Sequence, residues 1–518
     1  MDKVYLNSIE KILPRLFGLF DQDHASSTYG VGDRYFWGWK LIDFGNGSYQ
    51  GAANGLARLL VGSLLPKDPF ISKIEKRIDG MFVGTDFLLR SNGSLEEAFP
   101  YESSFCVTAQ VAYDLLTAFE LIQSRITDEK KDQYLGTIRR MIQFIRKEDE
   151  NHGFISNHIS TAAAVLYKWT LLTQEPGEDR GKILLNQILK NQSEEGWFLE
   201  YEGADPGYQT LCTQYLADLH HMRPDLNLVE PIKRSIQFLW HFAHPDGSFG
   251  GLYGSRNTRF FFPSGFEALA NEIPEAKALA VFMRNSIAKN RVVTLDAVDD
   301  SNLIPMFNSY CGASYFKEKN LNHMESETLA LPAFSKEPFR NIFPESGLIV
   351  ERGRNHYTII STHKGGITYH FTGKKAMVDS GVLAQRKDGR VYSTQNYNPL
   401  NKITIEGNHL VVLSNFFLLE KLLPTPLSFI ILRMLSLTVM RNKFFRDVIK
   451  RKLVKLLITP KKKLGSFNQR TIKLGEQCEV SDELKKDAHE LKRISIETSF
   501  ASIHMASQGY WQIQDEKL

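Results

Sequence analysis

The sequence is poor in several features that define special classes of protein. It has four cysteines in 518 residues, Cys106, Cys212, Cys311 and Cys478, and they lie far apart without a CxxC or Cys/His cluster. This excludes a disulfide-dense scaffold and gives no sign of a zinc site, so we expect a reducing compartment. No segment reaches the roughly 18 to 20 consecutive apolar residues that span a bilayer.

The N-terminal segment also lacks the pattern of a secretory signal peptide. Glu10, Lys11, Pro14 and Arg15 interrupt its apolar residues, and no small-residue cleavage site follows. We therefore expect a cytoplasmic protein.

Neither basic nor acidic residues are in large excess. Sixty-three Lys and Arg stand against 59 Asp and Glu, a net charge of +4, which argues against a general nucleic-acid-binding protein. With 42% hydrophobic and 24% charged residues, the composition is that of an ordinary folded protein. A chain of 518 residues is longer than one hydrophobic core usually supports, so we predict two large domains.

Helical periodicity dominates the first part of the chain. Between about residue 50 and residue 320, apolar residues recur every three or four positions, which predicts amphipathic or buried helices. The clearest segments are 104–122, 132–145, 160–172 and 208–220. Similar loops carry glycines at positions 93, 153, 196 and 247. A repeat of about fifty residues that holds a helix pair is typical of stacked hairpins, so we predict an incomplete α/α toroid over residues 1–330.

After about residue 340 the pattern changes to short β-branched segments separated by Gly, Asn and Asp turns. We predict an antiparallel β-sandwich over residues 340–518, and hence a multidomain α+β protein in which the toroid precedes the sandwich. The predicted linker covers about residues 320 to 340, with Pro332 and Pro338.

One stretch, at about residues 411–463, breaks the β pattern and predicts a helical insertion. Residues 441–463 hold ten Lys or Arg against the single acid Asp447, a local charge of +9, which leaves −5 for the rest of the chain. Apolar residues at near-helical spacing accompany these charges, as in a basic amphipathic helix at an anionic membrane surface. The alternative is a helix packed on the toroid or on a partner subunit, with solvated lysines.

Loops of the helical region carry the candidate site residues. After the Gly153 loop, Asn157 could bind a carboxylate and His158 could move a proton. Tyr208 follows a loop rich in polar and aromatic residues, in which Glu202 could contact a substrate; nearby cations could lower the pKa of the Tyr208 phenol. For each residue taken alone, the alternative is a role in helix capping or core packing.

A third loop, residues 246–259, combines glycines with Tyr253, Arg256 and Asn257. These side chains could hold an acidic sugar, and an arginine suits bidentate contact with a carboxylate. A turn that simply exposes its arginine is the alternative.

Together these features resemble the heparinase II/III-type polysaccharide lyases. The resemblance lies in helical repeats followed by a sandwich, and in the adjacent Asn157 and His158 followed about fifty residues later by Tyr208. It extends from about residue 30 to the C-terminus. Residues 365–381 resemble the family's strand-turn-strand, which ends here in Asp379-Ser-Gly381.

The chain departs from this family at a histidine signature of the type Gly-His-x-His-x-Asp. Thr362-His363-Lys364-Gly365 stands there instead, and His370 lies on the following predicted strand. The resemblance implies that His363, as the nearest equivalent of the family's sandwich histidine, takes part in catalysis. The basic insertion is a second departure.

The resemblance implies a carbon–oxygen lyase that cleaves a uronic acid-containing glycan by β-elimination. Removal of the C5 proton requires that the neighbouring carboxylate be neutralised, here by Asn157 and Arg256. His158 or an ionised Tyr208 would take the proton, and Tyr208 or Tyr253 would protonate the leaving oxygen. We expect neither a cofactor nor a metal.

Three other functions remain open at this point. The same groups could catalyse C5 epimerisation of a uronate. A glycoside hydrolase could use pairs among the loop carboxylates Glu97, Glu200, Glu202, Asp205 and Asp246. A non-catalytic glycan-binding protein is the third.

The expected partners are an acidic polysaccharide or a lipid-linked glycan, and an anionic membrane surface contacted through residues 441–463. Nucleic acid is not expected. These expectations place the protein in the cytoplasm, peripherally at the inner face of the membrane.

Overall fold

The computed structural model describes residues 3–64, 70–151, 153–320, 329–419, 423, 425–442, 444–449, 463–485 and 491–503. Its α-helices are α1 (Val4–Gly18), α2 (Arg34–Trp37), α3 (Ala52–Val61), α4 (Phe70–Leu88), α5 (Phe105–Ile122), α6 (Asp128–Lys147), α7 (Ser156–Thr173), α8 (Glu178–Lys190), α9 (Pro206–Met222), α10 (Val229–Leu239), α11 (Ser264–Ala268), α12 (Pro274–Ala288), α13 (Asp300–Asn320) and α14 (Pro426–Leu437). Side-chain caps define several helix starts, as Ser104 does for α5 and Thr127 for α6.

The helices before residue 321 form two concentric rings. In the inner ring, α3, α5, α7, α9, α11 and α13 contact one another in that order, and α13 returns to α3. The outer helices α4, α6, α8, α10 and α12 pack on the inner helices, and α1 packs on α13 and α12. The predicted α/α toroid is confirmed, and α13 packs on α3 to close its inner ring.

The loops that lead into successive inner helices lie at one end of the toroid. Gly93 and Gly196 in two of these loops have φ of +83° and +98°, a conformation that favours glycine. A Cβ atom at either position would also stand within 2.4 Å of a carbonyl oxygen in the outer helix opposite. The glycine repeat seen in the sequence therefore marks tight turns between outer and inner helices.

One helix of the described residues, α5 with its continuation to Arg125, is long and apolar enough to cross a membrane. Seventy-eight per cent of its apolar window is buried inside the protein. It packs between α3 and α7, so its apolar character serves the core of the toroid.

The second half of the described chain is built from antiparallel strands. They are β1 (Phe339–Phe343), β2 (Leu348–Arg352), β3 (His356–Ser361), β4 (Ile367–Thr372), β5 (Lys375–Asp379), β6 (Leu383–Arg386), β7 (Val391–Ser393), β8 (Lys402–Glu406), β9 (His409–Leu418), β10 (Lys463–Lys473), β11 (Glu479–Lys485) and β12 (Leu491–Ile494). One sheet has the order β1-β2-β3-β4-β5, and the other has the order β11-β10-β9-β7-β6-β12 with β8 paired to β9.

Residue alternation places the first sheet between the helices and the second sheet. Leu348 and Val350 of β2 belong to the same apolar core as the toroid. Ile349, which points the opposite way, packs with Val412 and Ile472 of the second sheet. This explains why β2 and β3 are buried along nearly their whole length. The predicted antiparallel sandwich is confirmed.

The insertion is shorter than we predicted. Residues 411–418 belong to β9, and Lys463 already pairs with Phe417 as the first residue of β10. The strands on either side of the insertion are therefore neighbours in one sheet, and the inserted residues are 419–462. Within them, residues 420–422, 424, 443 and 450–462, which include most of the basic segment, lie outside the described residues.

Candidate active site

The loops before α7 and α9 pair with each other like two short strands. Ile155 bridges Glu200, and the Ser156 amide donates to the carbonyl of Leu199 at 3.1 Å. The Tyr201 amide donates in turn to the carbonyl of Phe154. This pairing brings the first turn of α7 beside the loop that leads to Tyr208.

Asn157 is held by a buried carboxyl group. Its backbone amide donates to Glu200 Oε1 at 3.0 Å, and its side-chain Nδ2 donates to Oε2 at 2.8 Å. Burial raises the pKa of Glu200 to about 8, although the two bonds from Asn157 act in the opposite direction. Because the NH2 group faces Glu200, the orientation of the Asn157 amide is fixed.

His158 lies in the same helical turn and is oriented by an acidic residue. Its Nδ1 is 2.8 Å from Glu150 Oε2, and the Glu150 side chain is only 2% exposed while that of His158 is 20% exposed. When Nδ1–H donates this hydrogen bond to the Glu150 carboxyl oxygen, the lone pair of the neutral ring lies on Nε2. Nε2 makes no hydrogen bond to any described residue.

Tyr208 stands in the first turn of α9 with its hydroxyl uncommitted. Asp205 caps the helix by accepting from the Tyr208 amide at 3.1 Å, and Pro206 occupies the first helical position. Among the described residues, none forms a hydrogen bond with the Tyr208 hydroxyl. Desolvation raises the pKa of Tyr208 above its ordinary value and outweighs the lowering effect of Arg256. The lowered pKa that nearby cations could give this phenol is therefore not observed, because burial has the larger effect.

Arg256 is a buried cation without an anionic partner. The residue is 7% exposed, and its guanidinium lies 3.7 Å from the centre of the Tyr201 ring. Its Nε and Nη1 atoms are buried, and no described residue offers either of them a hydrogen-bond acceptor. In the part of the chain that the structure describes, no carboxylate lies within ion-pair distance of it.

The sandwich contributes His363 and Lys364 to the same region. His363 Nδ1 lies 3.2 Å from the Tyr397 hydroxyl, and burial lowers the pKa of the imidazole, so that it is neutral near pH 7. Tyr397 in turn packs against Gly203, where an added Cβ would be 2.3 Å from the Tyr397 hydroxyl. His363 is thereby connected through one tyrosine to the loop that bears Glu200.

Lys364 is fully buried and binds the third loop. Its Nζ donates to the Gly254 carbonyl at 2.9 Å and to the Asn257 side-chain oxygen. Burial lowers the pKa of Lys364 to about 7, against the effects of Asp205 and Glu202. This lysine fixes the backbone of the loop on either side of Arg256.

Two of the predicted substrate-binding residues are part of the interior. Tyr253 is 1% exposed, and its hydroxyl binds His244 Nε2 at 2.8 Å, so a role in donating a proton to substrate is wrong for it. Asn257 is fully buried between Lys364 and the carbonyl of Ile503. Both side chains shape the loop and do not face a ligand.

The carboxylates proposed for a hydrolase have structural partners. Glu200 holds Asn157, and Asp205 accepts from the amides of Arg256 and Thr258 as well as capping α9. Asp246 closes its own turn, and Glu97 accepts from the Ser104 hydroxyl. Of the five, Glu202 alone is exposed and forms no hydrogen bond with a described residue.

The structure thus brings Asn157, Glu202, Tyr208, Arg256 and His363 into one region, with His158 next to Asn157 in the first turn of α7. Four residues that organise this region were not predicted as site residues, namely Glu150, Tyr201, Lys364 and Tyr397. Their sequence context carries no signal, because burial and long-range pairing decide their roles. A cavity of about 370 Å³ opens elsewhere, between α12, the 245–247 turn and residues 329–334, and none of these site residues lines it.

Neither a protein-family model nor a curated protein matches the chain. Similar solved structures include a Paenibacillus xanthan lyase (9% identity, TM-score 0.46), heparinase III (12%, 0.43) and the chondroitin AC lyase of Streptomyces coelicolor A3 (8%, 0.46). The matches cover 80%, 80% and 81% of this chain, and 44%, 75% and 67% of those proteins. The chain therefore spans less than half the length of the xanthan lyase. The three are two polysaccharide lyases and a heparinase, the class of protein that the sequence resembles.

Proposed function

We propose that the protein is a lyase-like enzyme that cleaves a uronic acid-containing glycan by β-elimination. The observation that carries this proposal is Arg256, a buried guanidinium with two donor nitrogens that find no acceptor among the described residues. An unsatisfied buried cation is costly to the fold and is expected where an anion binds. A uronate carboxylate is an anion that fits its fork of donors.

Binding of the carboxylate prepares the substrate for loss of a proton. Arg256 neutralises the carboxylate, and the second hydrogen of the Asn157 amide donates to the same group. As the C5 proton leaves, charge moves into the carboxylate, and these donors stabilise the enolate-like intermediate. Glu200 holds the amide in place and does not touch the substrate.

The proton transfers follow from the two uncommitted groups. His158 Nε2 takes the C5 proton, since Glu150 holds the other ring nitrogen. The electron pair of the C5–H bond then forms the C4–C5 double bond, and the bond from C4 to the glycosidic oxygen breaks. Tyr208 donates its proton to that leaving oxygen, in keeping with its raised pKa.

His363 completes the proposed site from the sandwich side. Its lowered pKa keeps the imidazole neutral near pH 7, so it can accept a hydrogen bond from a sugar hydroxyl without repelling Arg256. Its contact with Tyr397 fixes the ring. We assign it to binding and positioning of the sugar.

The test is incubation with a panel of uronic acid polymers, with detection of the ultraviolet absorbance of a new double bond. Replacing Tyr208 by Phe removes the proton donor and should reduce the rate about a hundredfold or more. The matched control is Tyr29→Phe, because Tyr29 packs on His24 and contacts none of the site residues. Equal activity of the Tyr208→Phe variant and the wild type would overturn the assigned role.

A further inference from the structure

Apolar side chains are exposed in unusual density on and around α14. Of the 25 large hydrophobic side chains that are exposed in the described part of the chain, ten lie between residues 423 and 445. Five on α14 share one side of the helix by their spacing and are each at least 50% exposed, namely Leu427, Ile430, Ile431, Met434 and Leu437. This side of α14 has no partner among the described residues.

A second exposed element lies beside α14. Arg433 forms an ion pair with Asp43 at 2.8 Å and lies over the Phe44 ring, which holds α14 against the loop after α2. On that loop Trp39 is 62% exposed and Leu41 is 70% exposed. We call the exposed side of α14 together with Trp39 and Leu41 the apolar surface.

We propose that the apolar surface docks on an anionic lipid bilayer. At 12 residues, α14 is about 18 Å long, too short for a hydrocarbon core of about 30 Å, so it lies in the plane of the interface. Tryptophan is enriched at this depth of a membrane. The occupant follows from charge, since residues 441–463, directly after α14, carry +9 and are attracted to acidic headgroups.

Docking would set the candidate active site close to the membrane. Arg441 donates to the Tyr101 hydroxyl at 3.4 Å, and Asn151 donates to Asp447 at 3.5 Å. Tyr101 and Asn151 lie on the loops before the inner helices α5 and α7, at the end of the toroid that bears the site. A glycan carried by a lipid would then be presented to the site. That consequence rests on the proposed function, whereas docking itself does not.

The experiment is flotation of the full chain with phosphatidylcholine vesicles, with and without phosphatidylglycerol. We expect binding to the acidic vesicles and at least about a tenfold loss for Ile430→Glu/Met434→Glu, because charges replace side chains that enter the interface. Trp39→Glu should weaken binding independently. The control is Ile183→Glu, at an equally exposed apolar position on α8, which should bind as the wild type does.

Three outcomes would overturn the proposal. One is failure of the wild type to float with acidic vesicles, and another is equal flotation of the double variant and the wild type. The third is a dimer in light scattering that the double variant dissociates, without vesicle binding, which would assign the apolar surface to a second copy of the chain. Since no activity is measured, failure here leaves the proposed elimination reaction untouched.

Discussion

At the scale of single residues, two buried arginines show how differently a charge can be used. Arg58 is 6% exposed and lies 3.4 Å from Asp218 Oδ2, so its charge is balanced inside the toroid. Arg256 is buried to nearly the same degree, but among the described residues the Tyr201 ring is its only partner. This difference supports the proposed role of Arg256 in binding an anionic ligand.

Replacing Arg256 by Met should therefore abolish activity while raising the free energy of unfolding by about 1 kcal/mol. Relief of unsatisfied donors is worth about 1 to 3 kcal/mol, and loss of the contact with Tyr201 costs about 0.5 to 1 kcal/mol. Arg58→Met is the matched control and should lower the unfolding free energy by about 3 to 5 kcal/mol, because it leaves the buried Asp218 carboxylate without its cationic partner. Urea denaturation measures both, and destabilisation by Arg256→Met would contradict this role.

The pKa of Glu200 predicts a pH dependence of stability. Its carboxyl titrates at about 8 in the fold and near its ordinary 4.5 when unfolded. The folded state binds the extra proton between these values, so the stability that Glu200 contributes falls as pH rises from about 4.5 to about 8. The unfolding free energy of Glu200→Gln minus that of the wild type should therefore rise over this window and stay level above it.

Asp482→Asn is the matched control, because the pKa of Asp482 is lowered in the fold whereas that of Glu200 is raised. Hydrogen bonding to Arg470 lowers the pKa of Asp482 in spite of its burial, so its contribution is complete above pH of about 4 and is lost only in acid. The unfolding free energy of Asp482→Asn minus that of the wild type should be constant between pH 5 and 8. A constant difference for Glu200→Gln as well would show that its carboxyl is not held protonated.

The roles of individual residues were the feature of the site that was hardest to predict from the sequence. Asn157, His158 and Tyr208 are identifiable because each follows a turn and begins a helix. Tyr253 looks equally suitable in sequence, yet its hydroxyl serves His244 in the core. Lys364 is the neighbour of His363, the residue of this segment that was predicted to be catalytic. Nothing in the local sequence shows that the Lys364 ammonium group is buried against the 252–257 loop.

At the scale of elements, the start of α9 connects the helix ring to the site. Asp205 caps α9 and at the same time accepts from the backbone amides of Arg256 and Thr258. One carboxylate thus fixes both the turn that aims Tyr208 and the loop that carries Arg256. The helix cap therefore also connects α9 to the loop that carries Arg256.

Asp205→Ala should lower the free energy of unfolding by about 3 kcal/mol or more, because three backbone amides lose their acceptor at a buried position. Thr127→Ala at the exposed cap of α6 removes one such bond and should cost about 1 kcal/mol. Chemical denaturation compares the two. Equal costs would mean that Asp205 acts as a simple cap.

Helices were predictable from sequence to within a few residues, because apolar spacing and capping act locally. Predicted segment 132–145 is observed as α6 from Asp128 to Lys147, extended by the Thr127 cap. The strand β9 was missed as a strand from residue 411 onward, since its apolar run merges with that of the insertion. The strand β9 can be distinguished from the insertion only by its pairing with β10, which begins after 44 intervening residues.

At the scale of the whole molecule, the insertion is an addition to a finished sandwich. Replacing residues 420–462 by a short Gly-Asn turn should leave the melting temperature within a few degrees of the wild-type value, since Phe417 and Lys463 already pair. Vesicle binding should be lost in the same variant. Loss of the folded state on deletion, followed by circular dichroism, would show that the insertion is part of the core.

The architecture as a whole was accessible to sequence because it repeats. Each hairpin of the toroid carries the same turn and the same apolar spacing, so the ring could be predicted before any contact was known. Closure of the ring by α13 against α3 could not, because it depends on residues about 250 positions apart, such as Asn308 and Gly51.

The central claim is that this chain eliminates across the C4–C5 bond of a uronate. The most direct measurement is nuclear magnetic resonance of the products formed from uronic acid polymers in deuterated water. The prediction is a new unsaturated non-reducing end that is formed by the wild type and not by Tyr208→Phe. Deuterium at C5 without unsaturation would instead indicate epimerisation, saturated fragments would indicate hydrolysis, and either result would contradict the claim.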